Sequence, residues 1–296
     1  MILLSNPCTL ADGLHCLGPY AVPLFLLDGD RPALFEGGVY DLGPYYIDEM
    51  RKILGSRSPS HLLLTHMHFD HCGATGYLKR RFPGAAIGQS PEGAEIIKKQ
   101  SAIDLITKLN AQGREGKFFE PFIVDTILSD GDVLEVSKKA SVRVLKTPGH
   151  TRDHLSYYIP EKKALIPSEA VGVPGDGEYI FSEFLIGYDS YMASLEKLAS
   201  LDVEIIMLAH GACLTGSDAR DYMPRAIEHT IRFRERIESL LEEHGDDHEA
   251  IVGIVKREEY DIIKHDKQPE MAYLINLRAK IRAVARDMRE SSASPR

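Results

Sequence analysis

Cysteine is scarce in this sequence, positive charge is outnumbered, and no long apolar run occurs. The four cysteines, Cys8, Cys16, Cys72 and Cys213, include no Cys-x-x-Cys pair, which excludes a secreted disulfide framework and points to reduced thiols in a cytoplasmic protein. Nowhere do eighteen apolar residues run together, so no bilayer-spanning helix is expected, and no membrane partner. The opening MILLSNPCTLADGLHCLG has only a short apolar run with no basic residue before it, so no secretory signal is expected. Lys and Arg number 35 against 44 Asp and Glu, a net charge of -9, which argues against gripping a phosphate backbone; nucleic acid is excluded as the expected partner. Internal repeats and Gly/Ser linkers are lacking too, and only the closing SSASPR reads as a frayed end.

What is there is a chain of 296 residues, 44% hydrophobic and 27% charged, enough for one large domain or two modest ones. Short apolar runs alternate with helical patterns as far as Gly216, after which the pattern is helical. Leu24–Leu27 and Ala33–Phe35 flank an Asp28-Gly29 turn and predict a hairpin. Pro44 and Gly55 bracket a helix. His61–Thr65, 85–88, 133–136, 142–145, 155–159, 164–166 and 205–208 read as strands. Helices are expected over 92–110, over 191–199 with Asp189 or Ser190 as N-cap, over 219–244, and after Pro269. In the last of these, Met271, Leu274, Leu277, Ile281, Val284 and Met288 form an apolar stripe, which either packs on the main domain or makes a homodimer interface.

The segment His66-Met67-His68-Phe69-Asp70-His71 puts three imidazoles and a carboxylate into six residues, far more polarity than a core requires. An extended chain throws His66 and His68 to one side, and a following turn swings Asp70 and His71 toward a second point. Further histidines stand just past predicted strands, in Thr147-Pro148-Gly149-His150 and in Ala209-His210-Gly211. One metal centre at one rim of a sheet accounts for all of them. Imidazole with carboxylate suits two divalent cations, zinc, iron or manganese. Cys72 and Cys213 read as small buried thiols. His15, His61, His229, His244, His248 and His265 are given no chemistry.

With these motifs the sequence resembles the metallo-β-lactamase fold superfamily over roughly residues 20–215. The resemblance implies an α/β fold, a four-layer αββα sandwich. It also implies a metal-binding domain over 1–216 and a C-terminal helical extension over 217–296 that closes over the active-site rim. It places His66, His68 and His150 on one metal and Asp70, His71 and His210 on the other. The bridging acid departs from the family pattern: where an Asp is usual, Leu165-Ile166-Pro167-Ser168-Glu169 offers Glu169. Glu36-Gly37-Gly38, SAIDLITKLN at 101–110, GHTRDH at 149–154 and SLEKL at 194–198 are similar in kind and order to the quinolone-signal response branch of pseudomonads, α/β metallohydrolases with C-terminal helices and thioesterase chemistry.

The chemistry expected of such a site is hydrolysis of a small acyl substrate, a thioester, ester or lactone, by a hydroxide shared between two metals, with Asp70 as catalytic proton carrier. His154, four residues past His150, is expected beside a ligand or the substrate, or as a structural histidine. Tyr179, Phe181, Phe184 and Tyr188, in the stretch 176–188, read as either a substrate-pocket wall or ordinary core. Three rivals stand beside this reading: a phosphodiesterase, a redox protein, and a signalling or binding protein whose metal site has diverged.

Overall fold

The computed structural model describes residues 2–3, 7–175, 178–211, 213–263 and 268–293; His265, positions 176 and 177 of the aromatic stretch, and tail residues 294–296 lie outside them. The chain divides into two compact units. The first comprises Met1–Lys146, Asp153–Ser168 and Asp202–Arg220, and the second Thr147–Arg152, Glu169–Leu201 and Asp221–Arg296. The last passage between them, after Arg220, falls near the composition boundary at Gly216. The second unit also recruits two earlier segments, which local composition has no means of revealing.

The first unit is built on two sheets of seven strands. One runs Cys8–Ala11, Leu14–Leu17, Leu24–Leu27, Ala33–Phe35, His61–Leu63, Ala86–Gln89 and Thr126–Ile127 in spatial order. Its first pairs are antiparallel, including the hairpin around Asp28-Gly29, and pairing turns parallel from Ala33–Phe35 onward. The hairpin turn is pinned by Arg57, whose guanidinium donates two hydrogen bonds to Asp28 at 2.7 and 2.9 Å. In the other sheet the order is Ile2–Leu3, Cys213–Thr215, Ile205–Met207, Ala164–Ile166, Leu155–Ile159, Ala140–Lys146 and Val133–Ser137.

Leu24–Leu27 is buried along its whole length, as a strand covered on both faces must be, and this explains its unbroken apolar run. Leu14, Phe25, Phe35 and Leu63 of one sheet join Val142, Val144, Tyr157 and Met207 of the other in a single core, with the Phe35 and Tyr157 rings 5.4 Å apart. The opposite face of the first sheet takes Leu24, Leu26 and Leu34 into a second core with Tyr46 and Met50 of helix Gly43–Leu54, Leu78 of Thr75–Arg81 and Ile106 of Gln100–Ala111. Cys72 lies in that second core and Cys213 between the sheets, both as packing thiols; burial pushes the Cys72 thiol well above its usual pKa. The single helix expected over 92–110 is instead two, Pro91–Ile96 and Gln100–Ala111, because Lys99 is extended and its carbonyl accepts from Ala102 and Ile103 to start a new helix.

The second unit holds helices Tyr188–Ala199, His248–Val255 and Glu270–Ala293, most of helix Ser217–His244, and a small hairpin of Val173–Pro174 with Ile180–Phe181. The N-cap expected at Asp189 or Ser190 is Gly187, and both residues lie inside the helix; extended Gly187 carries the chain in, and Ser190 Oγ donates back to its carbonyl at 3.2 Å. Helix Ser217–His244 ends at Gly245, whose left-handed φ of 59° suits the residue that terminates a helix. On the last helix Leu277, Ile281 and Val284 are fully buried while Met271 is exposed. Arg278 grips Glu249 of His248–Val255 at 2.7 and 2.8 Å. No helix among the described residues is long and apolar enough to cross a membrane.

Candidate metal centre

Strand His61–Leu63 delivers the histidine-rich loop, and the short helix Phe69–Cys72 bends it. His68 is the residue before that helix, extended at φ -72° and ψ 152°, and its carbonyl accepts from the N–H groups of His71 and Cys72 at 3.0 Å each. His66 and His68 therefore leave an extended segment, and Asp70 and His71 leave the first helical turn. Their rings converge: the His66 ring lies 4.5 Å from that of His68 and 4.2 Å from that of His71. His210, just past strand Ile205–Met207, brings its ring to 5.3 Å from His71. One donor atom each from Asp70, His71 and His210 lies within 4.8 Å of the others, a group that could hold a metal ion. His66 and His71 are buried, whereas Asp70 and His210 keep part of their side chains in solvent, so the cluster is open on one side.

Hydrogen-bond partners assign the tautomers. His210 Nδ1 lies 2.6 Å from the Ala21 carbonyl, which only accepts, so Nδ1 carries the proton and Nε2 presents its lone pair 3.6 Å from Asp70. His71 Nδ1 lies 3.2 Å from the carboxylate of Glu36. The Thr65 hydroxyl donates to that same carboxylate at 2.7 Å, which leaves its oxygen to accept from His66 Nδ1 at 3.1 Å. His66 and His210 thus turn Nε2 inward with a hydroxyl and a carbonyl behind their rings, the arrangement that fixes a metal ligand, while His71 faces the Glu36 carboxylate with its Nδ1.

Sequence reasoning misses Glu36 as a functional residue, although it notes Glu36-Gly37-Gly38 as a motif. Glu36 is 2% exposed, sits just past strand Ala33–Phe35 with φ at 72°, and also accepts from Ser168 Oγ at 3.3 Å. A non-glycine residue held there is strained, and the buried network offsets that strain. Asp153 escapes sequence reasoning as well: its carboxylate accepts the Met67 N–H at 2.9 Å and its carbonyl accepts from Ser90 Oγ at 2.9 Å, which fixes the loop between His66 and His68. His154 is fully buried, its ring stacked 5.1 Å from that of His66.

In the second unit, His150 and Glu169 are both buried. His150 Nδ1 meets the Glu183 carbonyl at 2.8 Å, so this imidazole is also left with Nε2 free of its proton. Gly149, at φ 139°, is required where it stands, since a Cβ there would fall 2.4 Å from the Tyr191 Cα. Helix Tyr188–Ala199 ties both segments down: Tyr191 Oη donates to the Glu169 carbonyl at 3.1 Å, and Ser194 Oγ to the Pro148 carbonyl at 2.7 Å. Of the two readings of the aromatic stretch, pocket wall or ordinary core, Phe184 takes the second. It is fully buried among Tyr188, Tyr191 and Phe233, so it is core. Phe181 is nearly buried, Tyr179 hydrogen-bonds Glu259, and the Tyr188 ring is capped by Arg234 at 4.2 Å.

Mixed sheets flanked by helices, with imidazoles and a carboxylate gathered past their strand ends, define an α/β metal-binding protein. The chain belongs to the metallo-β-lactamase superfamily, whose sequence profile it matches over residues 17–210. It is 28% identical over 163 residues to a hydroxyacylglutathione hydrolase of Chelativorans sp. (strain BNC1), covering 55% of this chain and 52% of that protein. It is 30% identical over 155 residues to an atrochrysone carboxyl ACP thioesterase of Aspergillus fumigatus, covering 52% of this chain and 39% of that protein. The chain spans about half the length of the curated relatives it matches. A metallo-beta-lactamase family protein of Thermus thermophilus shares the fold at 23% identity, with a TM-score of 0.64 and 97% of each chain covered. The likeness to the quinolone-signal branch stays an analogy carried by four segments of sequence.

Proposed function

We propose that the protein is a metal-dependent hydrolase of a small acyl substrate, with a thioester as the leading class and an ester or lactone next. The observation that carries this reading is the gathering of Asp70, His71 and His210 donor atoms within 4.8 Å of one another, with the inward Nε2 of His66 and His210. These donors fit divalent cations of the zinc, iron or manganese type, because neutral imidazoles with proton-fixing acceptors behind them are built to ligate. His66, His68, Asp70, His71 and His210 would hold them, and His150 and Glu169 join by their motif positions, Glu169 as the bridging acid. When bound, two such cations supply Lewis acidity to a carbonyl and lower the pKa of water. Two relatives, one named for an acylglutathione and one for an acyl carrier protein, support the thioester class.

The residues do the rest. Glu36, through Thr65, keeps His66 in one tautomer with Nε2 turned inward, and its carboxylate faces His71 Nδ1 at 3.2 Å. Asp70, part-exposed and 3.6 Å from His210 and 3.9 Å from His71, is placed to take a proton from water and pass it to the leaving group. The test is elemental analysis of gently purified protein, with hydrolysis assayed in parallel on thioester, lactone and phosphodiester substrates, for wild type, His68→Ala and Glu169→Asp. About two metals per chain, with thioester cleavage lost in His68→Ala, is the expected result. A phosphodiester as the responsive substrate would overturn the acyl class. No metal and no activity after reloading would make this a binding protein with a diverged site.

A further inference from the structure

All four cysteines are free thiols, but their surroundings differ. Cys72 is fully buried in the helix-covered core of the first sheet, with no second cysteine in that cluster. The other three meet between the two sheets of the first unit, where Cys16 and Cys213 belong to the core and Cys8 packs against it. The Cys16 thiol hydrogen-bonds both Cys213 and Cys8. One sulfur thus has two others within hydrogen-bond reach, and the metal site uses none of them.

The backbone brings Cys8 and Cys16 together. Strands Cys8–Ala11 and Leu14–Leu17 form a hairpin that turns at Asp12-Gly13 and sets Cys8 directly opposite Cys16. Opposed residues of an antiparallel pair stand about 4.5 to 5.5 Å apart at Cα, inside the range of about 4.4 to 6.8 Å that a disulfide spans. Both side chains leave the core-facing side of the sheet. Burial separates them: Cys8 is partly exposed, on the outermost strand of its sheet among the described residues, whereas Cys16 is fully buried. The hydrogen bond from Cys16 holds the Cys8 thiol down to about 7, so much of Cys8 is thiolate at neutral pH. The bonds to Cys213 and Cys8, together with burial, push the Cys16 thiol up and keep its proton in place. A reachable thiolate beside a buried thiol is the arrangement of an attacking and a resolving cysteine.

We propose that Cys8 and Cys16 form a hydroperoxide-reactive site that closes into a reversible disulfide, independently of the hydrolase reading. The Cys8 thiolate attacks one peroxide oxygen and the O–O bond breaks. Hydroxide leaves and takes up the proton that Cys8 had released, so Cys8 becomes a sulfenic acid. That step removes the thiolate to which Cys16 donates. The Cys16 sulfur then attacks the Cys8 sulfur: the S–O bond breaks as the S–S bond forms, and the departing hydroxide carries off the Cys16 proton as water. Two thiols are oxidised to one disulfide, and one peroxide is reduced to two waters. Cys16 needs no access to solvent, because its partner faces it across the strand pair.

The experiment treats the reduced protein with hydrogen peroxide, blocks the remaining thiols with iodoacetamide and maps the product after cleavage before aspartate. Cuts before Asp12, Asp28, Asp202 and Asp218 put Cys8 on peptide 1–11, Cys16 on 12–27 and Cys213 on 202–217. The expected product is 1–11 joined to 12–27, released by dithiothreitol, with Cys72 alkylated. A join to 202–217 overturns the pairing, and so does a join of two 1–11 peptides. No join, or oxidation of Cys72 as fast as of Cys8, overturns the site. In Cys16→Ala the peroxide product is a Cys8 sulfenic acid trapped by dimedone, and Cys8→Ser slows the loss of free thiols about tenfold or more. Cys213→Ala keeps the linkage. The linkage itself is read on wild type, so the outcome does not depend on a variant folding.

Discussion

His66 and His71 of the first unit are fixed by different means from His150 of the second. In the first, His66 and His71 lean on side chains, a buried carboxylate and the hydroxyls that surround it. In the second, His150 leans on a main-chain carbonyl, and its loop is locked by a glycine with no room for a Cβ and by two hydroxyls from one helix. The first arrangement is sensitive to charge and the second to shape.

Shape gives the largest expected effect. Gly149→Ala would push a Cβ into the Tyr191 backbone from a φ of 139°, and it is expected to destabilise the protein by about 3 kcal/mol or more in urea unfolding. A loss below about 1 kcal/mol would mean that the loop slides freely, and the contrast between the units would collapse. Charge comes next. Glu36→Ala removes the carboxylate that faces His71 and strands Thr65, and zinc affinity in a chelator competition is expected to fall about 10- to 100-fold. Unchanged affinity would reduce Glu36 to core filler.

Tyr191→Phe deletes one hydrogen bond to the Glu169 carbonyl and keeps the ring, for an expected loss of about 1 kcal/mol in the same unfolding assay. A larger drop would show that the second unit also depends on polar groups. The smallest effect lies away from the metal rim. Arg57 and the Gly29 N–H hold the Asp28 carboxyl below its ordinary value of 3.8, so the carboxylate stabilises the folded hairpin above that value. That contribution is lost as pH falls through the lowered value. Asp28→Asn should therefore lose less stability than wild type between neutral pH and about pH 3, read from urea midpoints at both. Equal acid sensitivity would remove Asp28 from the account.

Strands 155–159 and 164–166 were legible to the residue because compact apolar runs with firm boundaries mark them. The break at Lys99 was not, since the helical period continues across it and only the extended backbone of one residue interrupts it. The candidate ligands of the first unit stood out as polar density that no core requires. Glu36 and Asp153 did not, because their partners arrive from afar. Thr65 lies 29 residues from Glu36, Ser168 lies 132 residues from it, and Met67 lies 86 residues from Asp153. A carboxylate gains such a role only when the chain has folded back on it. Phe184 shows the converse: an aromatic residue in a suggestive place that nearby Tyr188 and Tyr191 and distant Phe233 together make core.

The hydrogen bond from His210 to the Ala21 carbonyl joins residues 189 apart, and Gly211 repeats the tie to Tyr20 at 3.1 Å. Closing so long a loop is slow and comes after local structure has formed. The donors at 66–71 lie close together in the chain, whereas His210 reaches them only when the two ends of the first unit have met. Full-strength metal capture is therefore a late event in refolding, and a metal-sensitive dye added to refolding protein would serve as a clock for the last stage of assembly.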